Sequence, residues 1–455
     1  MARRSVLAIL VCMTGLVMGT GSAAALQPDQ QVIEKTLDNG LKVLVKPDHR
    51  APVVVSQVWY KVGSSDEPAG LTGLSHVLEH MMFKGTQELG PNEFSRIIAA
   101  NGGRENAFTG RDYTAYFQRI ASGRLEICFR LEADRMQNLK IEEEEFRKEV
   151  EVVKEERRLR TDDRPESLTY EKFMATAYRE HKYRNPIIGW PQDLESMTVK
   201  DLRDWYEKWY APNNATLVVV GDVEPEVVFE LAQKHFGPIE RRKVAPRANE
   251  AEPEHGGPRR VSVEAPAQVP YLLMGYRVPV IENADSDDWE PYALEILAYI
   301  LDGGKSARLS TELVRNQQIV SSVGAGYDPT ARAATQFLFD ANPNPGKNIA
   351  NVERAIRAEI KRVQTDLVSD QELARVKAQI VANKIYERDS VFYQAMKLGG
   401  LETVGLDWRL EQKMTERLRA VTAEQVKKVA SKYLVDQNLT VAVLVPGAKS
   451  PAKES

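Results

Sequence analysis

The stretch "GLSHVLEHMMFKGT", residues 73–86, places His76, Glu79 and His80 within five positions of an otherwise apolar run. Histidines four apart fall one turn apart on a helix, so both imidazoles project from one face and can reach a single zinc ion at about 2.0–2.1 Å. Glu79 lies beside them, positioned to take a proton from a zinc-bound water whose pKa the ion lowers towards roughly 7. The order His-x-x-Glu-His inverts the commoner zinc-peptidase order but keeps the same three groups within one turn. Leu74, Val77, Leu78, Met81 and Met82 recur at helical spacing, so the helix also has a core face. On this stretch alone, the alternative is a core helix with partly exposed histidines.

A catalytic zinc takes three protein ligands and leaves a position open. His49 and His181 sit in no pattern that recommends either. The acidic segment "EEEEFRKEVEVVKEERR" puts Glu149, Val152, Val153 and Glu156 on one face, with the two carboxylates two turns apart. The same run also reads as a solvated helix laced by pairs such as Glu144 with Lys148.

The elements that must position these groups occur twice along the chain. The first half runs "LKVLVKP", "VVVSQVWYKVG", the histidine helix, "TAYFQRIA", "RLEICFRLEADRMQNL", the acidic helix and "VKDLRDWYEKWYAPNNATLVVVGDV". The second half repeats the order with "VPYLLMGYRVPV", "PYALEILAYILDGG", "TQFLFDAN", "NVERAIRAEIKRVQTDL", "DQELARVKAQIVANKIYE" and "AEQVKKVASKYLVDQNLTVAVLVP". Superposing the copies sets His76, Glu79 and His80 opposite Glu295, Ala298 and Tyr299, and Glu149 and Glu156 opposite Val376 and Asn383. The second copy keeps the apolar scaffold and lacks every proposed metal group, as expected if only the first half performs chemistry. Two homologous α+β halves are therefore expected, residues 26–240 and 259–447, joined by the proline-rich and charged linker 241–258 and followed by a tail, 448–455.

A chain of 455 residues exceeds one ordinary core. Its net charge of −4 is spread without a basic stripe, which argues against a nucleic-acid partner. Arg3 and Arg4, the apolar run "SVLAILVCMTGLVMG" and the small residues "GSAAA" form a secretory signal peptide with cleavage expected near Ala25, so the mature chain is expected to be periplasmic or secreted. No later segment is long and apolar enough to span a bilayer. Cleavage removes Cys12 and leaves Cys128 alone, so no internal disulfide can form.

These motifs together resemble the pitrilysin-type zinc peptidases, the inverzincins, a family that includes insulin-degrading enzyme and the mitochondrial processing peptidase. The resemblance covers nearly all of the mature chain and rests on "HVLEHMMFKGT", "NAFTGRDYTAYF", "KEVEVVKEE", "YRNPIIGWPQDLESMT" and "LDGGKSARLSTELVR". It implies two α/β-sandwich halves with largely antiparallel sheets that close as a clamshell around a central chamber. It implies one zinc ion per chain held by His76, His80 and Glu156, Glu79 as general base, and Glu149 as the group that orients a histidine. It further implies a peptide substrate added as an extra strand near Asn106 and Ala107, which makes sequence preference loose. Family members often carry an arginine and a tyrosine seven residues apart in the second half; here Arg315 matches the arginine, but the tyrosine position holds Ser322, and Tyr327 is out of register. Some bacterial relatives divide these duties between two chains, so a homologous partner subunit supplying the tyrosine is expected. The alternative reading is a non-catalytic or partner-dependent subunit of the same fold.

Overall fold

The computed structural model describes residues 31–248 and 250–447. The expected signal peptide and C-terminal tail lie outside the described residues. The first half contains β1 (Ile33–Thr36), β2 (Lys42–Pro47), β3 (Val53–Tyr60), α1 (Leu74–Met81), α2 (Glu93–Ala100), β4 (Arg104–Thr109), β5 (Thr114–Ala121), α3 (Leu125–Asn138), α4 (Glu143–Arg157), α5 (Pro165–Ala177), α6 (Pro191–Ser196), α7 (Val199–Trp209), β6 (Ala215–Gly221) and α8 (Pro225–His235). The second contains β7 (Arg259–Ala265), β8 (Tyr271–Val278), α9 (Glu290–Asp302), β9 (Val320–Gly326), β10 (Thr335–Pro343), α10 (Ile349–Thr365), α11 (Asp370–Glu387), α12 (Val391–Val404), α13 (Leu410–Ala420), α14 (Ala423–Tyr433) and β11 (Leu439–Pro446).

The strands form two sheets, ordered β1-β2-β6-β3-β5-β4 and β7-β11-β8-β10-β9. Without β1 the orders match strand for strand. In each sheet one pair is parallel, β2 with β6 and β7 with β11, and the remaining pairs are antiparallel. The helices repeat as well: α7 and α14 each start on a threonine capping box, Thr198 with Asp201 and Thr422 with Gln425, and each leads through a short 3₁₀ turn into the parallel strand. The internal repeat visible in the sequence is thus a repeat of topology, and the α+β two-half architecture is present.

β3 and β6 read as near-continuous apolar runs and are buried along almost their whole length, which requires cover on both faces. One face packs on the helices of its own half. The other face packs on a helix from the opposite half. Ala395 and Leu398 of α12, with Trp408, pack against Leu44, Val55, Trp59 and Val218 of the first sheet. Reciprocally, Phe173, Met174 and Ala177 of α5 pack against Leu273 and Ala442 of the second. Each half therefore lends one helix to the other, and the halves interlock.

The linker does not run free of the two halves. Most of it is exposed, but Arg247 bonds Asp66, the Glu252 carboxylate accepts backbone N–H bonds from residues 179, 180 and 181, and His255 is buried at 3% exposure. These contacts pin it along both halves. Cys128 is buried and unpaired, and burial pushes its thiol up to about 12.

Candidate metal centre

Eight residues are too few for an isolated helix to persist in water. α1 is held instead by its core face: Leu74, Val77, Leu78 and Met81, with Met82 just beyond, are all at most 2% exposed. Each such burial contributes about 1.5–3 kcal/mol. The helix opens at Gly73, whose φ of +92° suits glycine, and a Cβ there would meet the Ile188 carbonyl at 2.9 Å. Its free N–H groups are met by the buried Glu67 carboxylate, which accepts from Gly73 and Ser75 at 2.7 Å each.

α4 lies across α1. Its first turn carries Glu143, Glu144 and Glu145, and its last turn Lys154 and Arg157, the charge order that complements the helix dipole. Lys148 pairs with Glu144 at 2.8 Å, so the outer face is solvated as one reading of the sequence held. The inner face presents Glu149, Val153 and Glu156 to α1. Val152 does not belong to this face: it is 47% exposed, while Val150 is 8% exposed. The buried arc runs from Glu156 through Glu149 and Val153 towards Val150, on the far side from Val152.

The structure brings His76, His80 and Glu156 together, with one ligand atom from each lying within 4.8 Å of the others. His80 Nε2 is 3.3 Å and His76 Nε2 3.9 Å from the Glu156 carboxylate. Donors around a tetrahedral ion with arms of about 2.0–2.1 Å stand roughly 3.3–3.5 Å apart, so this donor set fits a zinc-sized cation. On its other side, His80 Nδ1 faces Glu149 at 3.1 Å, and Lys84 Nζ holds the second Glu149 oxygen at 2.5 Å. Arg160 pairs with Glu156. Glu79 projects into the same cavity of about 660 Å³ as His76 and Glu156, and the Thr109 hydroxyl donates to its Oε2 at 2.5 Å.

Burial and the opposite charges of its neighbours set the electrostatics of the cluster. Burial, then the neighbouring His80, lowers His76 to about 4. Burial opposes charge on His80 too, but its bonds to Glu149 and Glu156 raise it to about 9. Burial raises Glu79, against the Thr109 bond, while the His80 bond holds Glu156 below the ordinary carboxylate range. The His76 Nδ1 is buried with no hydrogen-bond partner among the described residues.

The substrate-side expectations are placed unevenly. β4 is the edge strand of its sheet; Ala107 lines the cavity, and Asn106 is exposed with its side-chain oxygen accepting from the Ala107 N–H at 2.9 Å. Arg315 sits in a π-helical turn, bonded to Thr311 of the same turn, and does not line this cavity. Ser322 lies on the opposite edge strand, β9, bonded to Asn342. Tyr327 is engaged, its hydroxyl donating to the Pro279 carbonyl at 2.6 Å. His49 pairs with Asp222, and His181 is buried as an acceptor for the Tyr183 N–H. Thr109, Lys84, Arg160 and Glu67 were not singled out by sequence reasoning. Lys84, four residues after His80, and Arg160, four residues after Glu156, offered a positional signal.

In the second half, α9 packs on α11 as α1 packs on α4. There Glu295 replaces the first histidine, and the donor set is absent: among the described residues, the His76, His80, Glu156 group is the one cluster of its kind.

The structure thus pairs a doubled α+β fold with a cavity of about 660 Å³ and a two-histidine, one-carboxylate cluster in one half. The comparisons give the family. The model described as "Insulinase (Peptidase family M16)" matches residues 42–190, and that described as "Peptidase M16 inactive domain" matches 196–380; the chain belongs to peptidase family M16. It is 32% identical to the zinc protease PqqE of Helicobacter pylori, over 90% of this chain and 92% of that protein, and 29% identical to an uncharacterized zinc protease of Mycobacterium leprae, over 92% of each. A solved protease from Helicobacter pylori superposes with a TM-score of 0.86 at 31% identity, covering 92% of this chain and all of that one. The periplasmic protease PqqL from Escherichia coli shares the fold (TM-score 0.76, 20% identity), but 94% of this chain covers only 50% of it. Among the described residues no helix is long and apolar enough to cross a membrane.

Proposed function

We propose that the chain is a zinc-dependent endopeptidase in which His76, His80 and Glu156 hold one ion and Glu79 acts as the general base. The observation that carries this reading is the convergence of those three donors with Glu79 in one cavity beside an edge strand. A zinc ion held there would supply Lewis acidity, polarising the scissile carbonyl and acidifying water. Glu79 takes the proton of the attacking water and delivers it to the leaving amine nitrogen, with the Thr109 hydroxyl fixing its rotamer. Glu149, itself held by Lys84, orients His80 so that Nε2 faces Glu156. A peptide adds to the free edge of β4 at Asn106 and Ala107 through main-chain bonds, which favours peptides and unfolded segments over folded proteins.

The mature enzyme works outside the cytoplasm, after removal of residues 1–25; the signal-like N-terminus supports this, as does the periplasmic location named for the relative PqqL. A second chain of the same fold completes the substrate site. Its support is twofold: Arg315 and Ser322 lie off the cavity, and PqqL is twice this length.

Metal analysis of the mature protein should give one zinc per chain. Glu79→Gln should keep that zinc yet lose peptide hydrolysis by about 10²–10⁴-fold. Hydrolysis by Glu79→Gln at the wild-type rate would overturn the assigned base. Full activity of the purified chain alone, unchanged by any partner, would remove the second subunit.

A further inference from the structure

The cavity that holds Glu79 carries a cation whose charge the site leaves unanswered. Three arginines line it: Arg111, Arg160 and Arg184. Arg160 pairs with Glu156, and Arg184 donates to the Arg179 carbonyl at 2.7 Å. Among the described residues Arg111 has neither kind of acceptor. Its guanidinium lies over the rings of Tyr170 and Tyr183, 5.9 and 5.8 Å from their centroids, and among the described residues its one hydrogen bond is a long 3.4 Å contact to the Tyr170 hydroxyl. Its Nε is buried with no partner among the described residues. The adjacent Asp112 does not compensate it, because that carboxylate is engaged by Arg332 and Tyr183.

A guanidinium taken from water without an anion is unfavourable unless something charged arrives to meet it. Two features say where that would be. Arg111 follows Thr109, the residue bonded to Glu79, by two positions on the same hairpin. It also stands, with Tyr170, Met174 and Ile187, in the wall shared by the Glu79 cavity and a second cavity of about 700 Å³ between the halves. A peptide added along β4 advances about 3.3–3.4 Å per residue, so a bond presented to Glu79 sets Arg111 opposite a group one or two residues away.

We propose that Arg111 is a substrate-carboxylate receptor that selects peptides bearing a carboxylate, either an acidic side chain or the free C-terminus, within about two residues of the cleaved bond. The planar fork of arginine donates to both carboxylate oxygens, and the tyrosine rings keep it oriented while empty. This rests on the peptidase reading above.

The test uses matched peptides that differ only in Asp against Asn at each position flanking the cut, and in a free against an amidated C-terminus. Wild-type kcat/KM should favour the carboxylate member by about tenfold or more at one position, and which pair responds tells side chain from terminus. Arg111→Met should bring that ratio close to one, and Arg111→Lys should retain part of it, since a point charge keeps attraction without the fork. The readout is a ratio, so a general loss of rate or stability in Arg111→Met does not imitate it. A wild-type ratio near one at every position, or an unchanged ratio in Arg111→Met, overturns the proposal. Binding of the same pairs to Glu79→Gln, by fluorescence anisotropy, reads the preference without hydrolysis. A carboxylate preference in binding with no cleavage by wild type sinks the peptidase reading and keeps Arg111; cleavage with no preference does the reverse.

Discussion

His80 shows how one side chain is made to serve by its neighbours. Its Nε2 faces Glu156 because Nδ1 is held by Glu149, and Glu149 is held by Lys84. Glu149→Gln removes the charge from the middle of this relay and leaves its size. It should weaken zinc affinity by about 10–100-fold, read by competition with a chelator, with activity restored at excess zinc. An unchanged affinity would make Glu149 a packing residue. The relay also marks how far spacing reaches at this scale. His76, Glu79 and His80 were legible because one helical turn carries all three, whereas Thr109 meets Glu79 only through the placing of β4 beside α1. The face of α4 was misjudged at Val152 for the same reason: periodicity finds a stripe, but the partner helix decides on which flank it widens.

At the scale of elements, the two exchanged helices meet their host sheets in mirrored fashion. α12 crosses β3 with Gly399 against Trp59, where a Cβ would stand 2.1 Å from the indole Nε1; α5 crosses β8 with Phe173 against Gly275, where a Cβ would stand 2.4 Å from the ring. In each crossing an aromatic fills the space a side chain vacates. Gly399→Ala and Gly275→Ala should therefore each destabilise by about 1–3 kcal/mol through overpacking, measured by denaturant unfolding. Gly400→Ala is the control: a Cβ there meets nothing within 4 Å, and replacing a mid-helix glycine should stabilise by up to about 1 kcal/mol. Equal effects at 399 and 400 would contradict the crossing geometry. The sequence shows the repeat in element order. It does not say that the second cover of β3 and β6 comes from the other half, because an amphipathic helix fits either sheet.

Over the whole molecule, the halves are also tied by a cluster of charges beneath the Arg111 hairpin. Arg332, from the second half, reaches Asp112 at 3.3 Å, the Ser65 hydroxyl at 3.0 Å and Asp66 at 3.5 Å, while Arg247 of the linker holds Asp66 at 2.7 Å. Arg332 is 13% exposed and the two aspartates 2% and 6%, so Arg332→Ala strands buried charge. It should lower stability by about 3–5 kcal/mol, and calorimetry should find the loss in a single transition if the halves unfold together. Beside this cluster, His181 gives the fold a pH limit. It is 5% exposed and accepts the Tyr183 N–H at 3.2 Å; burial above all lowers its pKa, against the opposing charge of Asp112 and with Arg332 adding to the lowering. His255, with Nδ1 at 2.7 Å from the Gly257 carbonyl and Nε2 at 3.0 Å from the Thr440 hydroxyl, is likewise lowered chiefly by burial. The sign follows from proton counting. A histidine whose folded pKa lies below its unfolded value binds more protons when unfolded, so its stability is fully present above about pH 6.5 and is lost as the pH falls towards the lowered folded value. Within that window each histidine contributes at most about 1.4 kcal/mol per pH unit. The double variant His181→Asn, His255→Asn keeps side-chain acceptors and removes both titrations. Between pH 7 and pH 5 its unfolding free energy should fall less steeply than that of the wild type; parallel curves would mean that carboxylates alone set the acid limit.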